Sequence, residues 1–276
     1  MAIREMIYET FNDITLPKIG FGTARVGGRI IPNHRRDPYW MTILCSALEL
    51  GFTHFDTAEL YALGYSERLI GRAMRDTGTK REDILITTKV WPIHLRYHSL
   101  LLACQNSLRR LNVDYIDVYL IHIPNPLIAL KDSFQALNQL VREGKIKHIG
   151  VSNFNLKLLQ EAQSLSETPI VTNQIPYSMC NRLYEKNGVI KYCQENNMLI
   201  TAYTPLGHNQ IQPNNALQSI AKVHHATLYQ IALAWLVAQP RVITIPMAFN
   251  PIHQKENLEA ASIKLSETEM EQLRSA

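Results

Sequence analysis

Three short apolar runs indicate the fold: Thr53-His-Phe-Asp-Thr57, Ile84-Leu-Ile-Thr-Thr-Lys-Val90 and Tyr115-Ile-Asp-Val-Tyr-Leu-Ile-His-Ile123. Their length and their content of β-branched and aromatic residues are typical of buried β-strands. Each run is followed by a segment whose apolar residues recur at helical spacing. The three runs therefore predict consecutive strand–helix units.

The same alternation extends along the chain. Eight strands are predicted, over residues 18–23, 53–57, 84–90, 115–123, 146–151, 170–175, 198–203 and 242–246. Helical patterns follow them, over residues 40–50, 66–75, 97–111, 130–143, 156–165, 188–196, 217–238 and 256–262. Residues 5–17 predict a hairpin around a turn at Asn12-Asp13. Eight strand–helix repeats predict an α/β fold, a (β/α)₈ barrel of the TIM type with an N-terminal β-hairpin.

A doubly wound open sheet is the competing architecture. It should carry a G-x-G-x-x-G segment after an early strand, whereas Gly20-Phe-Gly22 lacks the third glycine. The barrel is therefore favoured. The long connections over residues 25–39 and 207–215 are expected at the mouth of such a barrel, where loops shape a pocket or lid. Because no linker is visible, residues 1–276 are expected to form one domain.

Composition excludes several classes of protein. The hydrophobic content of 46% and charged content of 19% are ordinary for a globular enzyme. The net charge of +4 is mild and its basic residues are scattered, so no nucleic-acid partner is expected. Either a phosphate-bearing ligand or solvated surface charge explains the mild positive net charge. The four cysteines lack metal-ligand spacing, and Cys45 and Cys104 are expected to be buried free thiols. No metal, secretion signal or membrane span is expected, and a cytoplasmic location is predicted.

Four polar residues lie at or just past the ends of the three quoted runs: Asp56, Tyr61, Lys89 and His122. In a (β/α)₈ barrel the carboxyl ends of the strands share one mouth, so these side chains are expected to converge. An ammonium near a phenol lowers the phenol pKa from about 10. Asp56 would keep Lys89 charged, and His122 could donate a hydrogen bond to a substrate oxygen. This set suits proton transfer at an oxygen whose carbon gains or loses a hydride.

Each residue alone has a structural explanation. Asp56 could form a turn, Tyr61 could pack in the core, Lys89 could be a surface charge, and His122 could be a core histidine. Their delivery by three consecutive strands favours a shared site. A lyase or aldolase with Lys89 as a Schiff-base amine would need that amine neutral, and the neighbouring Asp56 disfavours this.

Several motifs resemble those of the aldo-keto reductases. The residues that carry the resemblance are 47–61 with Ser66-Glu67, Leu120-Ile-His-Ile-Pro124, Gly150-Val-Ser-Asn-Phe154, Asn173-Gln174, Tyr203-Thr-Pro-Leu-Gly207, Ile245-Pro246 and Glu256-Asn257. The resemblance runs from about Leu16 to the C-terminus. It implies an enzyme that reduces aldehydes and ketones with a nicotinamide cofactor. It also implies that Tyr61 is the general acid, that Asp56 and Lys89 tune it, and that His122 orients and polarises the carbonyl.

The resemblance also implies a set of cofactor-binding residues. Gly22, Thr23 and Asp56 would line the sugar side, and Ser152, Asn153 and Gln174 would hold the carboxamide. Tyr203 would stack under the nicotinamide, while Glu256 and Asn257 would contact the adenine. The remaining members of the expected set are Thr204, Leu206, Met247, Ala248 and His253. Taken without the resemblance, Ser152-Asn153 could be a helix cap, Glu256 a first-turn acid and Tyr203 packing.

The phosphate-binding part of the pattern is altered. Family members that use NADPH usually carry lysine and arginine where this chain has Met247 and His253, and serine where it has Ala248. NADP(H) is the cofactor by family habit. The loss of both cations raises the hypothesis of NAD(H) or dual use, although Lys255 and His253 could partly compensate.

The substrate is expected to be a small carbonyl compound. Trp91, His122 and Ile123 are the expected substrate contacts, and Ile123 replaces a tryptophan found in many relatives. The short C-terminus favours an open site for small aldehydes, ketones or sugar-like carbonyls. Pro176 lies where relatives commonly have an acidic residue, which together with Ile123 indicates a different range of carbonyl substrates. A monomer or weak homo-oligomer is expected. The alternative is a non-catalytic or redox-sensing regulatory subunit of the same fold, like the potassium-channel β-subunits, against which the complete proton-transfer set counts.

Overall fold

The computed structural model describes residues 7–207 and 211–275, which fold into two compact units. The central unit contains residues 21–173. The terminal unit contains the residues up to Gly20 together with those from Gln174 onward. The chain passes from one unit to the other between Gly20 and Phe21 and again between Asn173 and Gln174.

Parallel strands run through the central unit. They are β3 (Phe21–Gly22), β4 (His54–Asp56), β5 (Leu85–Val90), β6 (Ile116–Ile121) and β7 (Ile146–Ser152), each hydrogen bonded to the next in chain order. Strands β1 (Tyr8–Phe11) and β2 (Ile14–Pro17) lie in the terminal unit. All six residues of β6 are buried. Burial on both faces is what helices on a parallel sheet impose, and it explains why these strands are continuous apolar runs.

Five helices follow these strands, one after each. They are α1 (Asp37–Glu49), α2 (Tyr65–Thr77), α3 (Tyr97–Leu111), α4 (Leu130–Arg142) and α5 (Leu156–Leu165). Helices α2 and α3 approach closely at Gly71, where an added Cβ would lie 2.2 Å from the carbonyl oxygen of Leu111. The absence of a side chain at this position permits the approach. Beneath the helices, Phe21 packs against Phe52 and Phe55 with ring centroids 5.2 and 5.7 Å apart.

The terminal unit begins with the antiparallel β1–β2 hairpin, whose turn places Asn12 in the left-handed region at φ 48°. Strand β8 (Thr172–Pro176) starts at the end of the central unit and continues into this one. Strands β9 (Leu199–Tyr203) and β10 (Val242–Thr244) are parallel neighbours, and Ile19 bridges to Thr244. The helices of this unit are α6 (Leu183–Lys186), α7 (Val189–Glu195), α8 (Asn215–Val223), α9 (Leu228–Val237), α10 (Pro251–Ala260) and α11 (Glu267–Ser275).

The predicted hairpin turn, the eight strands and most helices are confirmed in place and order. The prediction for α1 is late, since the helix begins at Asp37 with a proline in its first turn. The helix predicted over residues 256–262 is α10, which begins earlier because Asn250 caps it by accepting from the Ile252 N–H. Helices α6 and α11 were not predicted. Of the two cysteines expected to be buried, Cys104 is, and Cys45 remains partly exposed.

Two predicted features extend beyond the described residues. The hairpin prediction began at residue 5, and the predicted loop 207–215 includes residues 208–210. Across residues 7–207 and 211–275, none of the helices combines the length and apolar character needed to cross a bilayer.

A buried histidine in β4 makes the stability of the fold depend on pH. His54 is 1% exposed and its Nε2 lies 2.9 Å from Thr87 Oγ1, while Nδ1 has no hydrogen-bond partner among the described residues. Burial lowers the pKa of His54 from 6.5 to about 4, although Asp56 and Asp117 oppose the shift. The unfolded chain therefore binds a proton between pH 6.5 and 4 that the folded chain does not. Stability is present above pH 6.5 and is lost as the pH falls through about 4.

We expect wild type to lose about 3 kcal/mol more unfolding free energy between pH 7 and pH 4 than His54→Gln does. Urea denaturation at a series of pH values measures this difference. The exposed imidazole of His98 on α3 supplies the control, since His98→Gln should follow wild type. Parallel curves for wild type and His54→Gln would contradict the assignment.

Candidate active site

A buried ion pair joins the ends of β4 and β5. Lys89 Nζ donates to Asp56 Oδ1 at 2.5 Å and to the carbonyl oxygen of Thr57 at 2.8 Å. The two side chains are 0% and 2% exposed. Burial acts to lower the pKa of Lys89, but Asp56 and Tyr61 outweigh it and the pKa is raised. The ammonium therefore stays charged, as the sequence predicts, and a neutral Schiff-base amine is disfavoured.

Tyr61 lies at the start of a strained turn. The 3₁₀ segment Tyr61–Gly64 places Ala62, Leu63 and Gly64 consecutively in the left-handed region, at φ 47°, 54° and 80°. A non-glycine residue there costs about 1–2 kcal/mol. Such strain persists only where surrounding structure holds it, and it clusters at functional sites. The turn is thus a positioned feature and not a relaxed loop.

Contacts with β5 hold this turn in place. The Glu59 N–H donates to the carbonyl oxygen of Lys89 at 3.1 Å, and the Thr57 N–H donates to that of Thr87 at 2.8 Å. The result sets the Tyr61 ring centroid 5.1 Å from Lys89 Nζ. Tyr61 itself stays partly exposed. The phenol therefore joins the buried ion pair to a surface that a ligand can reach.

The phenol is held in its protonated form. Burial raises the pKa of Tyr61, Lys89 lowers it, and Asp56 raises it again, with a net increase. The sequence analysis predicts correctly that Lys89 lowers the pKa of Tyr61, but it does not predict that the net change is an increase. The reason is that Asp56 offsets much of the positive charge of the ammonium, while burial penalises the phenolate. At neutral pH the group is a proton donor.

His122 completes the set from the position directly after β6. Its ring meets that of Tyr61 edge-on, with centroids 5.7 Å apart and planes at 84°. Burial, followed by the charge of Lys89, lowers the pKa of His122 to about 3. Its Nδ1 is buried without a hydrogen-bond partner among the described residues. The imidazole is therefore neutral and can donate from only one nitrogen.

Glu59 is a residue of this region that the sequence analysis missed. It is 9% exposed, and its Oε2 accepts from the Trp91 N–H at 3.0 Å while Oε1 lies 2.9 Å from His94 Nδ1. The carboxylate ties the segment before Tyr61 to the segment after β5 that carries Trp91. The available signal was a lone acid in a buried run two residues before Tyr61.

A second polar layer lies beside the first. Glu67 is fully buried and accepts from Thr88 Oγ1 at 2.7 Å and from Arg110 Nε at 2.6 Å. Burial raises the pKa of Glu67 even though Arg110 opposes the shift. The stem of Arg110 lies against Gly64, where an added Cβ would come within 2.6 Å of Arg110 Cδ. The ion pair between Arg110 and Glu67 therefore packs against Gly64 at the end of the Tyr61–Gly64 turn.

The predicted cofactor residues of the central unit occupy strand ends. Gly22 ends β3, and the hydroxyl of Thr23 is used within the fold, because it donates to the Asp56 carbonyl oxygen at 2.9 Å. Ser152 ends β7 and is buried. Asn153 follows at φ 63°, and its Nδ2 donates to the His122 carbonyl oxygen at 3.1 Å and to Ser152 Oγ at 3.0 Å.

Two predicted substrate residues border this set. Trp91 is partly exposed, and Ile123 is 44% exposed. The central unit thus brings Asp56, Tyr61, Lys89, His122 and Asn153 into one connected group. Trp91 joins this group through Glu59.

The other predicted cofactor residues belong to the terminal unit. Gln174 lies in β8, Tyr203 ends β9, and Thr204 follows at φ 53° with Leu206 two residues later. Met247 and Ala248 follow β10, and His253, Glu256 and Asn257 lie on α10. The buried Gln254, which was not predicted, donates from Nε2 to the Ala248 carbonyl oxygen at 3.1 Å. It fixes the segment after β10 to α10.

Two basic side chains near Met247 have carboxylate neighbours. His253 Nδ1 lies 2.8 Å from Glu256 Oε2, and Lys255 Nζ lies 3.7 Å from Glu259 Oε1. These residues are the ones expected to compensate for the altered phosphate pattern. Both side chains therefore have a carboxylate neighbour within α10.

Known proteins are similar to this chain over nearly its whole length. The model of the Aldo/keto reductase family matches residues 18–276. A methylglyoxal reductase, YeaE, of Escherichia coli strain K12 is 32% identical over 98% of this chain and 94% of its own length.

Solved structures show the same likeness. The thermostable aldo-keto reductase Tm1743, solved with the inhibitor epalrestat, is 45% identical with a TM-score of 0.95, over 98% of this chain and 99% of its own. An aldo/keto reductase from Klebsiella pneumoniae, solved with NADP and acetate, is 33% identical with a TM-score of 0.84. The match covers 96% of this chain and 92% of the Klebsiella chain. These likenesses confirm the predicted (β/α)₈ barrel class.

The buried ion pair predicts a non-additive response to mutation. Asp56→Asn should cost about 3–5 kcal/mol of unfolding free energy, because it leaves the Lys89 ammonium buried without its partner. Lys89→Met should cost a similar amount, because the buried Asp56 carboxylate loses the ammonium that faces it. The double variant carries no charge at either of these two positions and should be more stable than either single variant. Denaturation of the four proteins measures this cycle.

Lys191→Met is the matched control. The Lys191 side chain is 79% exposed and lies 3.7 Å from Glu195 Oε1, so its loss should change stability by less than about 1 kcal/mol. Additive costs in the Asp56 and Lys89 variants would show that the two charges are not coupled.

Proposed function

The chain belongs to the aldo/keto reductase family and reduces carbonyl groups, and from that premise we propose that Tyr61 is its general acid. The observation that carries the proposal is the protonated Tyr61 phenol held beside the buried Lys89–Asp56 pair. We propose small aldehydes and ketones as substrates, α-oxoaldehydes among them. The name of the Escherichia coli relative, a methylglyoxal reductase, supports this class.

The donor set suits a nicotinamide cofactor. Ser152 offers a hydroxyl, and Asn153 and Gln174 offer amides, which is the chemistry that a carboxamide needs from its partners. Tyr203 offers an aromatic face for stacking. Gly22, Thr23 and Asp56 would bind on the sugar side, the Thr23 hydroxyl being already engaged. The remaining contacts would come from Thr204, Leu206, Met247, Ala248, His253, Glu256 and Asn257. When bound, the reduced nicotinamide supplies the hydride.

The residues of the central unit account for the proton. His122 is uncharged at neutral pH, because burial and Lys89 lower its pKa to about 3. Its ring donates a hydrogen bond to the carbonyl oxygen and polarises it. As the carbonyl carbon gains the hydride, the developing alkoxide takes the Tyr61 proton. The Lys89 ammonium then stabilises the phenolate that forms, and Asp56 holds the ammonium in place. The raised phenol pKa of the resting enzyme keeps the proton on Tyr61 until the oxygen becomes basic.

Exposed apolar residues are close to this group in the sequence. Leu63, Ile93 and Ile123 are exposed near Tyr61, Trp91 and His122 in the sequence, with exposures of 54%, 56% and 44%. We propose Trp91, His122 and Ile123 as substrate contacts. A short aldehyde with a methyl or similar group would suit these side chains.

The cofactor preference is proposed to be relaxed or directed toward NAD(H). Met247 and Ala248 supply no charge or hydroxyl for a 2′-phosphate. His253 and Lys255 lie beside Glu256 and Glu259, so the local field on α10 is not strongly positive. Charged hydrogen bonds are worth roughly 1.5–3 kcal/mol each, so their absence should weigh heavily against NADP(H).

Tyr61→Phe tests the general acid. We expect kcat to fall by about 10²–10³-fold because the proton donor is lost, with the affinity for reduced cofactor unchanged. The assay is steady-state reduction of methylglyoxal under chemistry-limited conditions, with cofactor binding followed by fluorescence. Tyr65→Phe is the matched control, since the Tyr65 hydroxyl donates to Asp37 Oδ2 at 2.6 Å and takes no part in the proposed chemistry.

Wild-type turnover in Tyr61→Phe would end the general-acid assignment. If no carbonyl substrate were turned over by wild type although both cofactors bound, a cofactor-binding regulatory role would replace the enzymatic proposal. The Tyr65→Phe protein should match wild type in either case.

The cofactor hypothesis is tested by restoring the cations. Met247→Lys with His253→Arg should tighten NADPH binding by about tenfold to a hundredfold and leave NADH binding nearly unchanged. Fluorescence titration of both reduced cofactors gives the dissociation constants. Met247→Leu with His253→Gln is the uncharged control and should alter neither. A wild-type protein that binds NADPH a hundredfold more tightly than NADH would refute the hypothesis.

A further inference from the structure

Helices α2 and α3 form a groove that is lined by five arginines. Its volume is about 410 Å³, and the arginines are Arg68, Arg72, Arg75, Arg109 and Arg110. The other lining residues are Tyr65, Leu69, Asn106 and Asn112. Within the described chain, no carboxylate lines this groove. We call it the arginine groove.

Two local sequence patterns produce this concentration of charge. Arg68, Arg72 and Arg75 are spaced i, i+4 and i+7 along α2, which places them on one face of the helix. Arg109 and Arg110 occupy the last turn of α3, which ends at Leu111 and is followed by Asn112 in the left-handed region at φ 57°. The close crossing at Gly71 brings the two helices together and so gathers both patterns.

Two of the five arginines are already paired. Arg110 is committed to the buried Glu67, with its Nη2 donating to Ser107 Oγ at 2.9 Å. Arg72 Nε lies 3.4 Å from Asp76 Oδ2, where both side chains are about half exposed.

Among the described residues, the remaining three arginines have no anionic partner. Arg109 donates to the neutral Asn106 Oδ1 at 3.0 Å. Among the ion pairs of residues 7–207 and 211–275, none includes Arg68, Arg75 or Arg109. Three guanidinium groups thus face one groove uncompensated, an arrangement that repulsion disfavours and that a bound anion would relieve.

We propose that the arginine groove is a binding site for a compact ligand that carries two or more phosphate groups. Guanidinium forks bind phosphate oxygens bidentately, and several forks around one groove match clustered phosphates better than a single anion. The charges converge on one groove and do not form a stripe, which favours a small ligand over a nucleic-acid strand. The proposal does not depend on the assignment of Tyr61 or of the cofactor.

Calorimetric titration with tripolyphosphate tests the site. We expect one binding event per chain, weakened by added KCl because salt screens the exposed arginines. Arg68→Gln with Arg109→Gln should reduce the affinity by about tenfold or more. Arg68→Lys with Arg109→Lys keeps the charge but loses the fork, and its affinity should lie between those of wild type and the glutamine variant. Thermal melting of each variant verifies that it is folded.

Arg142→Gln is the matched control. Arg142 is an exposed α4 arginine, paired with Glu167 Oε2 at 2.6 Å and outside the groove, so its loss should leave tripolyphosphate binding unchanged. Lys255→Gln on α10 tests whether the probe binds elsewhere, and it too should bind like wild type.

Three results would overturn the proposal. The first is unchanged binding in the folded Arg68→Gln, Arg109→Gln variant. The second is loss of binding in Lys255→Gln with the groove variant unaffected. The third concerns ligand class: citrate, or a single-stranded oligonucleotide, binding as tightly as tripolyphosphate at equal ionic strength would show that the groove does not select clustered phosphates.

Discussion

The buried ammonium of Lys89 is the constraint on which this region depends. A charge with no exposed surface is costly unless its donors are satisfied, and Asp56 and the Thr57 carbonyl oxygen satisfy two of them. To supply that carbonyl, the chain after β4 must run alongside β5. It does so through the Thr57 and Glu59 N–H groups, which donate to Thr87 and Lys89. The position of Tyr61 follows from this path.

The same charge sets the protonation of its neighbours. Lys89 favours the neutral form of His122, in addition to burial, and it favours the phenolate of Tyr61. Asp56 opposes the effect on Tyr61, so the phenol keeps its proton at rest. A lone lysine would provide a stronger pull on the phenol but could not remain charged at this depth. The pair therefore balances two requirements: a phenol that holds its proton, and a cation ready for the phenolate.

Strand-end residues were predictable from sequence, and turn geometry was not. Lys89 and His122 follow from the positions of apolar runs, because parallel strands of one barrel deliver their carboxyl ends to the same side. The left-handed turn after Tyr61 contains Ala62 and Leu63, which carry no local signal for that conformation. Their strain is imposed by tertiary contacts such as Arg110 against Gly64.

Glu59 and Glu67 were not assigned a role from the sequence for the same reason, since their partners Trp91 and Thr88 are distant in sequence. Helix α11 was missed because only Leu273 is buried along it.

The arginine groove shows why charge counts alone decide little. Arg68, Arg72 and Arg75 look like an ordinary solvated helix face, and a net charge of +4 is compatible with either scattered surface charge or a phosphate-binding protein. The crossing of α2 and α3 favours the phosphate-binding interpretation over scattered surface charge, because it places Arg109 and Arg110 beside the arginines of α2. Arg110 also lies against Gly64 and bonds to Glu67, which accepts from Thr88 next to Lys89. One side chain thus belongs both to the groove and to the layer beneath the Tyr61 turn. Hydrogen bonds and packing contacts through Arg110 therefore connect the arginine groove to the strained turn after Tyr61.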